Sequence, residues 1–244
     1  MHMRLKKWAK PELAECSYYL DTPEKFRGHW REQFDRELPL FLELGCGKGV
    51  GTAKMVSANR NINFVVSDIS SNVLGYTRRN IEKAFEGEPV DNVKIVRFDI
   101  TRIDRIFAPE DSVDRMYINF CNPWTQNVKQ AKKRLTHPRQ LMLYRQFLKD
   151  EGEVRFKTDD EMLFHDTLIY FRYCGFETDY LTEDLHASGF EPNYVSEHEE
   201  KFLGKNIPIR FGIFKKIPGA PEIDPMEWER FGPPYTTDYS NGNL

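Results

Sequence analysis

The chain has 244 residues, 40% of them hydrophobic and 14% aromatic, enough to bury one substantial core and form one large α/β domain with appendages. A formal net charge of -3 makes no general attractor of nucleic acid, no apolar run approaches the roughly eighteen residues of a membrane helix, and residues 1–10 lack the apolar core of a secretory signal, so a cytoplasmic protein with no membrane attachment is expected. Cys16, Cys46, Cys121 and Cys174 are scattered without C-x-x-C pairing and the histidines lack ligand-like spacing, so the expectation is free thiols, a reducing compartment and no metal.

Residues 1–22 read as an irregular, basic N-terminal segment in which Arg4, Lys6, Lys7 and Lys10 are unopposed; a solvated end accounts for that cluster as readily as phosphate binding does. Residues 24–37 are predicted as a helix leading into a first strand at 40–44, whose apolar residues suit a buried parallel strand. Gly45, Gly47, Gly49 and Gly51 follow at alternate positions, where a backbone without Cβ atoms turns tightly and approaches a ligand. The dinucleotide fingerprint requires glycine three residues after Gly47, where Val50 stands, and no Lys-Ser/Thr ending completes a phosphate-gripping loop. A nucleotide-type cofactor without a pyrophosphate fits this turn better. A helix at 52–58 and a strand at 63–67 lead to Asp68, about twenty residues after the glycines, where nucleoside-binding sheets place an acid on ribose hydroxyls. A helix at 70–85 precedes a strand at 93–98 ending in Asp99, and a strand at 116–120 ends near Asn122. Each of these polar residues alone is more often a helix cap or turn former, but their succession at strand ends favours a ligand crevice.

Pro123 stops the strand ladder and holds Asn122 extended, which carries an amide and the Trp124 indole out over that crevice. Lys129, Lys132, Lys133, Arg134 and Arg139 follow with no acid among them, a patch able to neutralise phosphates. Helices at 139–149 and 161–174 and strands at 153–156, 177–181 and 209–214 complete an alternation that predicts a mostly parallel sheet with helices on both faces. Asp159 follows one of these strands and is suited to reading the donor groups of a base. Ser196-Glu197-His198-Glu199 has the S/T-x-x-E spacing, which leaves a helix capping box and a functional site equally open. From Pro218 the chain is rich in proline, and its acids Glu222, Asp224, Glu227, Glu229 and Asp238 face one base, Arg230. The division expected is therefore 1–22 as a basic segment, 23–217 as the domain and 218–244 as an extended acidic tail.

Glu43-Leu44-Gly45-Cys46-Gly47-Lys48-Gly49 followed by Asp68 and Asp99 is similar to the class I S-adenosylmethionine-dependent methyltransferases. Arg4 to Ala9, Asn119 to Trp124, Lys157-Thr158-Asp159, Asp184-Leu185-His186 and Ser196 to Phe202, in that order, resemble TrmB-type bacterial tRNA (guanine-N(7)-)-methyltransferases, over a span from about residue 3 to residue 215. The resemblance implies a Rossmann-like, seven-stranded sheet whose last strand is antiparallel, S-adenosyl-L-methionine as cofactor, and tRNA as partner, with a variable-loop guanosine methylated at N(7). It implies that Glu43, Gly45, Gly47, Asp68, Asp99 and Asn122 hold the cofactor, Asn122 being also the catalytic position. It further implies that Gln126, Asp159, Ser196, Glu197, His198 and Glu199 meet the substrate and that Lys129, Lys132 and Lys133 face the RNA.

The family's Asp-Pro-Trp-Pro-Lys is here Asn122-Pro123-Trp124-Thr125-Gln126, so an acid and a lysine are missing. N(7) of guanine already carries a free lone pair, so its methylation removes no proton and needs no general base. Alignment, able to lower a barrier by roughly 7 to 11 kcal/mol, does most of the work. A weakened enzyme is expected rather than an inactive one. Methylation of another RNA or amine substrate, and a tRNA-binding paralogue with weak or no turnover because of Asn122 and Gln126, stay open as alternatives, and the sequence is silent on oligomeric state.

Overall fold

The computed structural model describes residues 5–124 and 128–227, the side chains of 128 and 129 excepted. Its strands are β1 (Tyr19–Leu20), β2 (Leu40–Leu44), β3 (Asn63–Asp68), β4 (Val93–Arg97), β5 (Val113–Asn119), β6 (Leu148–Thr158), β7 (Phe176–Thr182) and β8 (Arg210–Lys216). The α-helices are α1 (Ala9–Ala14), α2 (Val50–Ala58), α3 (Ser71–Ala84), α4 (Pro138–Phe147), α5 (Glu161–Tyr173), α6 (Leu185–Ser188) and α7 (Glu197–Leu203). One sheet runs in the order β1-β4-β3-β2-β5-β6-β8-β7, parallel throughout except that β8 is antiparallel to both β6 and β7.

The sheet has eight strands rather than seven because Tyr19 and Leu20 pair with Ile95 and Val96 of β4. That strand and α1 lie in the segment expected to be irregular. A two-residue pairing is too short to show a period, and α1 is held by tertiary contact: Ala9 packs so close to α3 that a Cβ at Gly75 would lie 2.8 Å from it. The predicted helix at 24–37 is instead two 3-10 turns, Pro23–Phe26 and Arg31–Gln33. Gly28 between them has φ +82°, and the Asp111 carboxylate accepts from the Gly28 and Trp30 N–H groups at 2.9 Å each. Burial of Trp30 against Phe107, ring centroids 5.3 Å apart, overrides helix propensity there. The helix predicted to run to residue 149 ends at Phe147, and Leu148 already opens β6.

All five residues of β2 are buried, the Glu43 carboxylate among four apolar side chains, as suits a strand covered on both faces. On one face Leu40, Leu42 and Leu44 join Val65, Val96, Met116 and Phe156 beneath α4 and α5. Phe41, Phe64, Val66 and Ile95 pack on the other face with Met55, Val56, Leu74 and Ile81 of α2 and α3, and with Leu13 of α1. Leu44 pairs with Ser67 and Ile118, Asp68 with Arg97, and Asn119 with Lys157, so these strands end together. Gly45, Asp68, Asp99, Asn122 and Asp159 therefore all leave the sheet at its carboxyl edge, where open α/β sheets bind ligands.

Candidate active site

The chain leaves β2 through a turn that only glycine adopts without strain: φ is +76° at Gly45, +57° at Gly47 and +73° at Gly49. The N–H groups of Gly45 and Cys46 both donate to the Ser67 carbonyl, at 2.9 and 3.0 Å, which moors the turn to β3. Asp68 accepts from the Gly47 N–H at 3.3 Å and the Ser70 N–H at 2.9 Å, and the Thr77 hydroxyl donates to the Gly47 carbonyl at 2.8 Å. Burial pushes the Asp68 carboxyl up, against these N–H donors. A Cβ on Gly49 would lie 2.8 Å from the Thr77 backbone, whereas one on Gly45 or Gly47 would meet nothing within 4 Å. The outer side of the turn is thus an open cradle.

Beside this cradle lies a cavity of about 330 Å³, walled by the turn and the start of α2, by Tyr117, Asn119 and Phe120 of the β5 end, by Arg155 and Lys157 of β6, and by residues of the arm 190–201. Glu43 stands in its floor, 5% exposed, accepting from the Thr52 hydroxyl at 2.6 Å and the Asn119 amide at 3.4 Å. Burial pushes its carboxyl upward. Glu199 is fully buried, with its Oε2 3.3 Å from the Lys157 ammonium and its Oε1 accepting from Asn193 Nδ2 at 2.8 Å. His186 Nε2 lies 2.9 Å from the same Oε1 but off the hydrogen-bond direction, so proximity rather than an aligned bond joins them. Lys157 also donates to Asn193 Oδ1. Burial lowers the Lys157 ammonium, and the neighbouring Glu199 charge opposes the shift. At the mouth, His198 stands 5.1 Å from the Phe120 ring and 4.7 Å from the Phe202 ring, with Nε2 3.9 Å from Asp159 Oδ1. Burial lowers the His198 imidazole, so its ring is held toward the neutral form.

Of the residues singled out from sequence, Glu43, Gly45, Gly47, Ser196, Glu197, His198 and Glu199 meet around this one cavity, with Asp159 beside His198. Asp68 is not among the residues that line the cavity, and its carboxylate shapes the turn through the Gly47 and Ser70 N–H groups. Asp99 caps the 3-10 turn Ile100–Arg105, its Oδ1 accepting from the Thr101 N–H at 3.1 Å and the Thr101 hydroxyl at 2.8 Å; among the described residues nothing donates to its Oδ2. Asn122 is exposed, and its Oδ1 accepts from the Trp124 N–H at 3.2 Å, which makes it a turn former. Gln126 and the Lys129 side chain fall outside the described residues. Lys132 and Lys133 are exposed, with Lys133 Nζ 4.7 Å from the Trp124 ring centroid.

Arg134 corrects the reading of the basic run as unopposed. It is buried, ion-paired with Asp166 at 2.5 Å, and its Nε donates to the Pro123 carbonyl at 2.7 Å, so it fixes the Asn122-Pro123-Trp124 turn. Ser196 Oγ accepts from the Glu199 N–H at 3.1 Å as a helix cap does, but Glu199 turns its carboxylate inward to Lys157, so the capping box is only half made. Tyr117, Phe120, Arg155, Phe190 and Tyr194 also line the cavity and were not singled out. For Phe120 the available signal was an aromatic closing the strand expected at 116–120; that β5 ends one residue earlier and that its φ is +52° are visible only in the structure.

Among the described residues no cluster of three or more His, Cys, Asp and Glu side chains is arranged for a metal ion, and no helix is long and apolar enough to cross a membrane. The family model described as "Putative methyltransferase" matches residues 37–210. The tRNA (guanine-N(7)-)-methyltransferase of Clostridium perfringens (strain SM101) is 49% identical over 220 residues, covering 89% of this chain and 100% of that protein. The enzyme of the same name from Clostridium beijerinckii is 48% identical over 218 residues, covering 88% of this chain and 99% of that protein. Among solved structures, 16S rRNA methyltransferase KamB superimposes with a TM-score of 0.54 at 12% identity, covering 77% of this chain and 91% of that one, a likeness of fold. The chain belongs to the family of tRNA (guanine-N(7)-)-methyltransferases.

Proposed function

We propose that this chain transfers a methyl group from S-adenosyl-L-methionine to N(7) of a guanosine in the tRNA variable loop, in the cytoplasm. The observation that carries the reading is the meeting of the open glycine turn and the arm residues Ser196 to Glu199 around one cavity, in a chain 49% identical to a full-length relative of that name. The residues present fit such a cofactor. Gly45 and Gly47 leave a cradle that a Cβ would fill, Asp68 and Asp99 stand at consecutive strand ends, and Asp99 keeps one carboxylate oxygen free among the described residues. Glu43, Gly45, Gly47, Asp68, Asp99 and Asn122 would hold it. The cofactor supplies an electrophilic methyl on a sulfonium.

The protein's own work is then alignment and charge. N(7) attacks with its free lone pair, so no side chain has to remove a proton, and the low basicity of His198 is no handicap. Phe120, His198 and Phe202 form an aromatic run at the cavity mouth suited to stacking a base turned out of its RNA, as enzymes that modify bases require. Guanine becomes cationic as it gains the methyl, and Asp159 at the same mouth is placed to favour that charge. Asn122, lacking a carboxylate, acts by shaping its turn and through its amide dipole. The test is incubation of the purified chain with unmodified tRNA and methyl-labelled S-adenosylmethionine. N(7)-methylguanosine is expected in the nuclease digest. A different methylated nucleoside, or RNA held on a filter with no methyl transferred, would sink the proposal in favour of another substrate or a non-catalytic tRNA binder.

A further inference from the structure

The arm 190–203 carries the side chains assigned to the guanosine, yet much of what seats it lies across the cavity on the cofactor side. Lys54 on α2 donates to the Val195 carbonyl at 3.1 Å and stands 3.4 Å from Glu200 Oε1. Asn59, just past the end of α2, donates to the Tyr194 hydroxyl at 2.7 Å. Lys48, inside the glycine turn, is 2.7 Å from Glu197 Oε1. Between these contacts the arm backbone comes down directly on Gly51: a Cβ there would lie 2.9 Å from the Tyr194 carbonyl oxygen and 3.3 Å from Ser196 Cα. Gly51 sits inside α2 without a left-handed φ, so a glycine there serves close approach of the arm and not a turn.

We infer that Gly51, Lys54 and Asn59 are positioning residues for the RNA side of the reaction, setting the height of Ser196, His198 and Glu199 over the cavity by holding the arm that bears them. The inference rests on the reading of the arm as the substrate side. It separates two effects that a purely cofactor-binding role for α2 would join. A change at these positions moves the arm, and with it tRNA recognition, while the cradle formed by Gly45 and Gly47 stays as it was.

The full-length chain is compared with Gly51→Ala, with Lys54→Glu, and with the charge exchange Lys54→Glu/Glu200→Lys. Alanine is the better helix former, so Gly51→Ala keeps α2, and a thermal unfolding curve verifies that the variant is folded. The added methyl overpacks the arm contact, and both the KM for tRNA and the tRNA Kd from filter binding are expected to rise about tenfold. Affinity for S-adenosylhomocysteine by calorimetry should stay within about twofold of the parent. Lys54→Glu should raise the tRNA KM about two- to fivefold, as loss of an exposed ion pair does, and the exchange, which keeps the net charge and re-forms the ion pair but leaves the Val195 carbonyl without its donor, should bring it part of the way back. The inference is overturned if Gly51→Ala leaves tRNA KM and Kd unchanged, if it weakens both ligands by one factor, or if the exchange restores nothing. Should the parent chain make no N(7)-methylguanosine, it is the proposed function that fails, and filter binding of tRNA still decides this point.

Discussion

Lys157 keeps only 11% of its side chain exposed, its partner Glu199 keeps none, and the two charges are 3.3 Å apart. Burial alone would drive the ammonium toward its neutral form; the carboxylate beside it holds the charge, and Asn193 bridges the two. Such a pair contributes little net stability over apolar replacements, but removing one partner strands the other charge without solvent. Lys157→Met is therefore expected to lower unfolding free energy by about 3 kcal/mol in denaturant titration, and Lys157→Met/Glu199→Gln to lose about 2 kcal/mol less than the two single changes added together. Strict additivity would show that the pair is not coupled. The Lys157-Thr158-Asp159 motif was visible in the sequence, but the strand expected at 153–156 stopped short of it, and it is the longer β6 that sets Arg155 and Lys157 on the face opposite Phe156. The inward turn of Glu199 was not visible. Its S/T-x-x-E spacing describes a local cap, and only the antiparallel return of β8 beside β6 closes the layer that brings the arm over Lys157.

At the scale of elements, β2, β3 and β5 were legible from their runs of three apolar residues, at 40–42, 64–66 and 116–118, which the sheet buries wholly or in part; β2 matches its expected span, and β3 and β5 differ from theirs only at their ends. Residues 24–37 misled because helix propensity is a weak prior against one buried indole and one carboxylate that captures two N–H groups. α4 offers a measurable case of a cap built from an unusual residue. His137 precedes Pro138, and its Nδ1 accepts from the Arg139 N–H at 3.2 Å. Burial, with Arg139, Arg134 and Lys132 adding to it, pushes the imidazole down to about 4 from an ordinary 6.5. The unfolded chain takes up this proton first, so the stabilisation is fully present above about pH 6.5 and drains away as pH falls toward 4. His137→Asn keeps a capping acceptor that does not titrate. It gives up the ring contact with Tyr170, a cost that does not vary with pH. Between pH 6.5 and 4 the parent should lose about 2 kcal/mol more than the variant, allowing for salt screening of the neighbouring cations. Parallel stability curves for the two proteins over that range would refute the assignment.

For the molecule as a whole, a net charge of -3 gives no long-range attraction for RNA, so any tRNA affinity has to arise where cations are concentrated against the local average. The stretch beside the Asn122-Pro123-Trp124 turn is such a place, but it holds fewer free cations than its sequence suggested, because Arg134 is spent on Asp166 and the Pro123 carbonyl. Lys133 is partly engaged as well, over the Trp124 ring, while Lys132 is exposed with no partner among the described residues. Counterion release makes this division measurable: each phosphate contact adds roughly 0.7 to 0.9 to the slope of log affinity against log salt. Filter binding of tRNA between low and physiological salt should give a slope reduced by close to one such contact for Lys132→Ala, a smaller reduction for Lys133→Ala, and almost none for Arg134→Lys, whose loss should appear in thermal stability. Equal slopes for all three variants would mean that the RNA backbone is gripped elsewhere, with the basic N-terminal residues Lys6, Lys7 and Lys10 the next to examine. A reduced slope for Arg134→Lys alone would mean that the buried guanidinium leaves Asp166 when RNA arrives, and the turn it holds would then have to rearrange during binding.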